Sequence, residues 1–203
     1  ILIESKTSLL GGYNLDNLLM AVAIAHESGI DPVEIAALIP ALTGAPGRVE
    51  PISLGQNFTA LVDYAHSPDA VEKVLATARE FTTGKVIAVL GCGGDRDREK
   101  RPVMASIAAK KSQQVILTSD NPRTEDPQEI MNMIVAGMSG HHNSSVELIT
   151  DRAAAIMTAV RQAQAHDVVL VAGKGHETTQ EIKGKRFDFS DQVHLRLVSG
   201  GAA

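Results

Sequence analysis

The sequence predicts an α/β chain: a mostly parallel sheet with helices on both faces, preceded by a short helical segment. Three observations carry this. From Thr59 onward, short apolar runs alternate with amphipathic stretches of helical length, the pattern of successive βαβ units. The runs VIAVL, VILT and VVLVA are apolar on both faces, as parallel strands between two helix layers must be. Only 3% of the chain is aromatic, so the core must be Val, Ile, Leu and Ala, which suits α/β layers better than an aromatic-rich sandwich.

The elements follow in order. In residues 14–28, Leu15, Leu18, Leu19, Val22 and Ala23 recur at helical spacing, and Gly29 supplies a stop. DPVEIAALIPAL is a second short helix, with Asp31 as N-cap and Pro32 at its first position. The Gly/Pro cluster of residues 43–53 reads as a boundary, which divides the chain into residues 1–50 and 51–203. Strands are expected at ALVDYA, KVIAVLG, QQVILTS, VELIT and DVVLVAG. Helices are expected between them, capped by Ser67 with Pro68, around residues 100–111, from DPQEI, and from Asp151. A polar tail with two short apolar stretches leads to a last segment, DQVHLRLV. Such an arrangement is Rossmann-like.

Composition narrows the function. The net charge of −5 argues against binding a phosphate backbone, and the scarcity of aromatics removes stacking platforms, so no nucleic-acid partner is expected. No apolar run approaches the ~20 residues of a membrane helix, and no signal peptide opens the chain, so neither a membrane nor export is expected. One cysteine, Cys92, excludes an internal disulfide and a Cys-rich zinc site and suits a reducing compartment. The first residue is Ile1, which points to a piece of a longer polypeptide.

Parallel sheets bind ligands beyond the carboxyl ends of their strands. Five polar loops occupy those ends: DYAHSP from Asp63, GCGGDRDR from Gly91, SDNPR from Ser119, Asp151-Arg152, and GKGHE from Gly173. GCGGDRD fails the dinucleotide fingerprint, because its sixth position is Arg96. It is either a glycine turn carrying solvated charges, or a loop of free N–H groups with Arg96 as a forked donor for carboxylate or phosphate. DNPR is either a helix-leading turn or a clamp for an amino-acid carboxylate, its Pro122 stiffening the turn between Asn121 and Arg123. GKGHE puts a cation, a base and an acid within four residues, but its lysine can equally be solvated. No Walker A pattern is present. His66 stands at a strand end near Asp63, whereas His141-His142 reads as an exposed loop pair. No metal-ligand set is apparent.

Six stretches, GGYNLDN, GAPGRVE, VDYAHSPDAVEKVL, VLGCGGDRDREKRPVM, TSDNPRTEDPQEI and VAGKGHE, run in this order over nearly the whole chain. Together they resemble the Mur ligases, and DNPR resembles the signature of the type that adds meso-diaminopimelate to UDP-N-acetylmuramoyl-L-alanyl-D-glutamate. Val49, where Met is usual in the family, and Glu99, where Gly is common, are departures. The resemblance implies a cytoplasmic, ATP-dependent amide-bond ligase of peptidoglycan precursor synthesis. It also implies that residues 1–50 end a central ATPase domain and residues 51–203 form a C-terminal amino-acid-binding domain. Arg96, Asp120, Asn121, Pro122, Arg123, Gly173 and Glu177 are then the diaminopimelate contacts. Asn14, Arg48, Asp63 and His66 are the nucleotide contacts. ATP is a substrate, Mg²⁺ is expected on ligands outside this chain, and the UDP-MurNAc-dipeptide binds to domains the chain lacks. Without a P-loop, the chain is assigned no catalytic residue and is expected to be inactive alone. The reading from another class is a stand-alone amino-acid- or nucleotide-binding module without catalysis.

Overall fold

A computed structural model describes residues 2–138 and 144–200; His141 and His142 lie outside them. The chain forms two compact units, residues 1–45 and 46–203, so the division falls ahead of the boundary at residue 50.

The first unit is helical. Helix α1 (Gly12–Glu27) begins two residues before the expected start at residue 14. Helix α2 (Pro32–Leu38) starts as its sequence dictates: the Asp31 side chain accepts from the Val33 N–H, and Pro32 fills the first position. The unit's small core is Leu18, Ile35 and Ile39, with Ile3, Leu9, Val22 and Ala25 against it. Leu15 and Leu19, on the predicted apolar stripe, are 50% and 59% exposed.

The second unit is the α/β body. Its strands are β1 (Glu50–Ile52), β2 (Thr59–Asp63), β3 (Val86–Cys92), β4 (Gln114–Ser119), β5 (Ser145–Leu148) and β6 (Val168–Ala172). Their order in the sheet is β1-β2-β6-β3-β4-β5. Only β1 is antiparallel to its neighbour; the other pairs are parallel. Strand β1 lies inside the stretch read as a boundary loop.

The helices are α3 (Pro68–Glu80), α4 (Lys100–Lys111), α5 (Pro127–Ala136), α6 (Arg152–Gln162) and α7 (Asp191–Ser199). Ser67, Asp126, Asp151 and Ser190 each cap a helix by accepting from a backbone N–H of its first turn. The steps β2→β3, β3→β4 and β4→β5 all advance one way across the sheet, and β5→β6 reverses. Right-handed crossovers therefore send α3, α4 and α5 to one face and α6 to the other. The side chains alternate accordingly: Ala88, Leu90, Leu170 and Ala172 meet Val71, Val74 and Leu75 of α3. Ile87, Val89, Val169 and Val171 pack on Ala155, Ile156 and Ala159 of α6 and Leu195 of α7. The reversal places the ends of β2, β6, β3 and β4 side by side.

The polar tail is ordered as an antiparallel hairpin, β7 (Thr179–Ile182) and β8 (Lys185–Asp188). No helix among the described residues is long and apolar enough to cross a membrane.

Candidate functional site

In-register pairing brings four strand ends to one rim: Asp63 stands opposite Ala172, Leu90 opposite Ala172, and Cys92 opposite Ser119. The loops that leave them enclose a cavity of about 250 Å³. Tyr64 and His66 line it from the β2 end, Gly91 to Gly93 and Arg96 from the β3 end, and Asp120, Asn121 and Arg123 from the β4 end. Gly173 and Glu177 line it from the β6 end, and Lys100 and Met104 from α4.

The two arginine-bearing loops are braced together. The Gly94 N–H donates to the Asn121 carbonyl at 2.9 Å, and Arg123 Nη1 donates to the Gly94 carbonyl at 2.6 Å. Asp95 accepts from both the N–H and the hydroxyl of Thr124. Beneath them the buried Arg101 makes a two-pronged pair with Glu125 at 2.9 and 2.8 Å and donates to the Gly93 carbonyl. The bonding of Arg101 to Glu125 is the main reason the Glu125 carboxyl is held down at about 2.

The β7–β8 hairpin backs the DNPR loop. The Arg123 N–H donates to the Glu181 carbonyl at 3.0 Å, and the Lys183 N–H donates to the Arg123 carbonyl at 2.6 Å. The Glu181 N–H donates to Asn121 Oδ1, and Gln180 Nε2 to the Asp120 carbonyl. This two-sided grip holds Arg123 at φ +51°, a left-handed conformation that a non-glycine residue seldom adopts unsupported.

Under the floor lies a buried charge cluster. Lys174 is 0% exposed, and its Nζ donates to Asn121 Oδ1 at 3.0 Å, Glu177 Oε2 at 2.8 Å and the Thr179 carbonyl at 2.7 Å. Asn121 Nδ2 donates to the same Glu177 oxygen at 2.7 Å. Burial alone would raise the Glu177 carboxyl, but the bonds from Lys174 and Asn121 reverse the sign and hold it below its ordinary value. Asp120 is raised, because burial outweighs the pull of Arg152 and Lys174. Arg152 forms a buried two-pronged pair with Asp191, at 2.8 Å on both arms, and donates to the Ala172 carbonyl. Gly173 has φ +118°, and a Cβ there would stand 2.5 Å from Asp120 Oδ2, so the loop passes only as glycine.

Residues 47–175 match the family described as "Mur ligase, glutamate ligase domain". This chain belongs to the Mur ligases. It is 48% identical over 193 residues to the UDP-N-acetylmuramoyl-L-alanyl-D-glutamate–2,6-diaminopimelate ligase of Bacillus cereus, covering 95% of this chain and 39% of that protein. It is 46% identical over 196 residues to the enzyme of the same name from Trichormus variabilis, covering 96% and 39%. A solved structure of a ligase of that name superposes with a TM-score of 0.75 at 44% identity, over 97% of this chain and 40% of the other. The chain thus spans about two fifths of the length of these relatives.

On this Mur ligase fold, Arg96, Asp120, Asn121, Arg123, Gly173, Glu177 and His66 meet at one cavity. The other sequence candidates stand elsewhere. Pro122 is buried with its carbonyl against Gly94 and does not line the cavity. Asp63 Oδ2 accepts from the Val49 N–H, and the exposed Arg48 guanidinium lies 5.2 Å from the centre of the Tyr64 ring. His66 is exposed at the rim, its Nδ1 2.7 Å from the Tyr64 carbonyl. Asn14 lies in the first unit, donating to the Leu10 carbonyl. The solvated reading of Lys174 does not hold: the ammonium is sealed from water. Arg123 is not a wholly free fork either, since Nη1 is taken by Gly94 and Nε stands 3.9 Å from Glu181. Burial, ahead of the nearby Asp120 charge, pushes the Cys92 thiol up to about 12, which removes it as a nucleophile.

Sequence reasoning passed over Lys100, Arg101 and Glu125, and gave Lys174 no role in the site. Lys100 could have been found from its place at the opening of a helix just after a candidate loop; for the buried pairs no local signal exists. Among the described residues no three His, Cys, Asp or Glu side chains converge as a metal site requires, so these residues do not fit the Mg²⁺ that the family implies.

Proposed function

We propose that this chain is the amino-acid-binding part of an ATP-dependent ligase that adds meso-diaminopimelate to UDP-MurNAc-L-Ala-D-Glu in the cytoplasm. In this reading residues 46–203 receive the amino acid, and residues 1–45 end an ATP-binding domain. One observation carries it: a single cavity is lined by two arginines, Arg96 and Arg123, together with two carboxyl groups, Glu177 and Asp120. That is the charge pattern of a ligand with carboxylates and ammoniums at both ends. The relatives' names supply the substrate.

The roles follow from the geometry. Arg123 keeps Nη2 for a carboxylate, and the exposed Arg96 offers its whole fork. Glu177, held ionised, receives an ammonium. Gly173 brings a backbone turn close to the ligand, while Asp120, Asn121 and Pro122 shape the wall. Held at one end, the diaminopimelate keeps its other amine free to attack an acyl phosphate made from ATP and the D-glutamyl carboxylate. The new amide C–N bond forms as phosphate leaves. Positioning of that amine is this chain's contribution to rate. His66, Arg48 and Asp63 stand beside Tyr64 at or behind the rim, where a nucleotide would approach. The nucleotide role of Asn14 rests on the sequence resemblance alone.

The test is specificity. Lysine lacks one carboxylate, and a site built for a polar group rejects its absence by roughly 10⁴-fold. In the full-length enzyme, Arg123→Ala is expected to lose most of kcat/KM for meso-diaminopimelate and much less for lysine. Arg123→Lys is expected to rescue poorly, because an ammonium has no fork. Equal loss for both amino acids would show that Arg123 holds the loop and does not read the carboxylate.

A further inference from the structure

We propose that Lys174 is a positioning residue of this site: its sealed ammonium ties Asn121 to Glu177 and decides which Glu177 oxygen meets the ligand. This rests on the amino-acid reading of the cavity. Lys174 cannot touch a ligand directly, because it is 0% exposed. Its three hydrogen bonds go inward, to the DNPR loop, to the carboxylate three residues on, and to the first residue of β7. The ammonium is thus the point where the β4 loop, the β6 loop and the hairpin meet.

The geometry around Glu177 makes this specific. Lys174 Nζ and Asn121 Nδ2 converge on one oxygen, Oε2. With that oxygen engaged twice, Oε1 is the one left for a ligand ammonium, and the carboxylate cannot rotate without breaking two charged hydrogen bonds. Arg123 also attracts this carboxylate, and Asp120 repels it. Neither makes a hydrogen bond that selects one oxygen. Lys174 also fixes Asn121, whose Oδ1 accepts from it and from the Glu181 N–H. A guanidinium in its place could not reproduce three bonds from one compact centre.

Two measurements on this chain test the idea. The first is a carbon-detected titration of the Glu177 carboxyl in the wild type and in Lys174→Met, which keeps the length and removes the charge. The carboxyl is expected to titrate below the ordinary range in the wild type and at least about one pH unit higher in the variant. The second is calorimetry with meso-diaminopimelate in a double-mutant cycle. Lys174→Met is expected to weaken binding about ten- to a hundredfold alone, but less than about threefold when Glu177→Gln is already present. An unchanged Glu177 titration in a folded variant, or losses that simply add, would overturn the proposal. If Lys174→Met does not fold, the wild-type Nζ resonance decides. An ammonium so enclosed should give a slow-exchanging signal that shifts on adding meso-diaminopimelate, and a signal indifferent to it counts against the role. If the titrations couple as expected but the wild-type chain binds no meso-diaminopimelate, Lys174 still positions Glu177, and it is the amino-acid reading of the cavity that fails.

Discussion

Gly94→Ala probes the brace between the two arginine loops. A Cβ at Gly94 would lie 1.9 Å from the Pro122 carbonyl oxygen and 2.7 Å from its carbon. Both are backbone atoms, so no side chain can swing aside. Gly94 is not in the left-handed region, so the conflict is one of space alone. Relief requires the loops to part by more than an ångström. That breaks the Gly94 N–H bond to Asn121, now 2.9 Å, and the Arg123 bond to the Gly94 carbonyl, now 2.6 Å. A neutral hydrogen bond contributes about 0.5–1.5 kcal/mol and a charged one about 1.5–3, and overpacking costs about 1–3. These overlap, because one movement causes all three, so about 3 kcal/mol is expected. Urea denaturation gives the stability, and calorimetry with meso-diaminopimelate gives the effect on Arg123. Gly12→Ala is the control: nothing lies within 4 Å of its Cβ, and alanine favours its helix. If Gly94→Ala unfolds within about 0.5 kcal/mol of the wild type and binds equally well, the brace is not what holds the site together.

Asp191→Ala strands a buried guanidinium and should cost about 3–5 kcal/mol, while the joint change Arg152→Met with Asp191→Leu should recover most of it; thermal unfolding of the three proteins decides. Because the Glu125 carboxyl is lower when folded, about 2 against 4.5, its stabilisation is complete above pH 4.5 and fades as pH falls toward 2. Glu125→Gln should flatten the acid side of a stability–pH curve, and an unaltered slope would show that Glu125 is not the group responsible. The described residues of the first unit, 2–45, with three buried apolar side chains and with Leu15, Leu19, Met20 and Ile24 at least half exposed, should show weaker amide-exchange protection than the sheet. Protection equal to that of β3 would contradict this.

Much of the fold was legible because its signals are local. Apolar runs on both faces specify buried parallel strands, and Ser67-Pro68, Asp126-Pro127 and Asp151 announce helix starts through bonds within one turn. The strand-end rule then pointed to the rim where seven of the eleven nominated residues meet. Strand β1 and the β7–β8 hairpin were not legible. The hairpin strands bury no side chain, and the three-residue β1 exists only by pairing with β2.

Residue pattern alone specifies the α/β class, the rim where the cavity lies and the family. Each of these rests on residue patterns a few positions apart. What each polar side chain does depends on the folded arrangement. Lys174 is sealed because β7 and the DNPR loop close over it, and Asn121 spends its amide on Glu177, 56 residues away in the chain. Arg123 takes a left-handed backbone because Glu181 and Lys183 hold it from the hairpin. The physical reason is common to all three. A charge's behaviour depends on its desolvation and on partners within about 3 Å, and chain spacing carries no record of either.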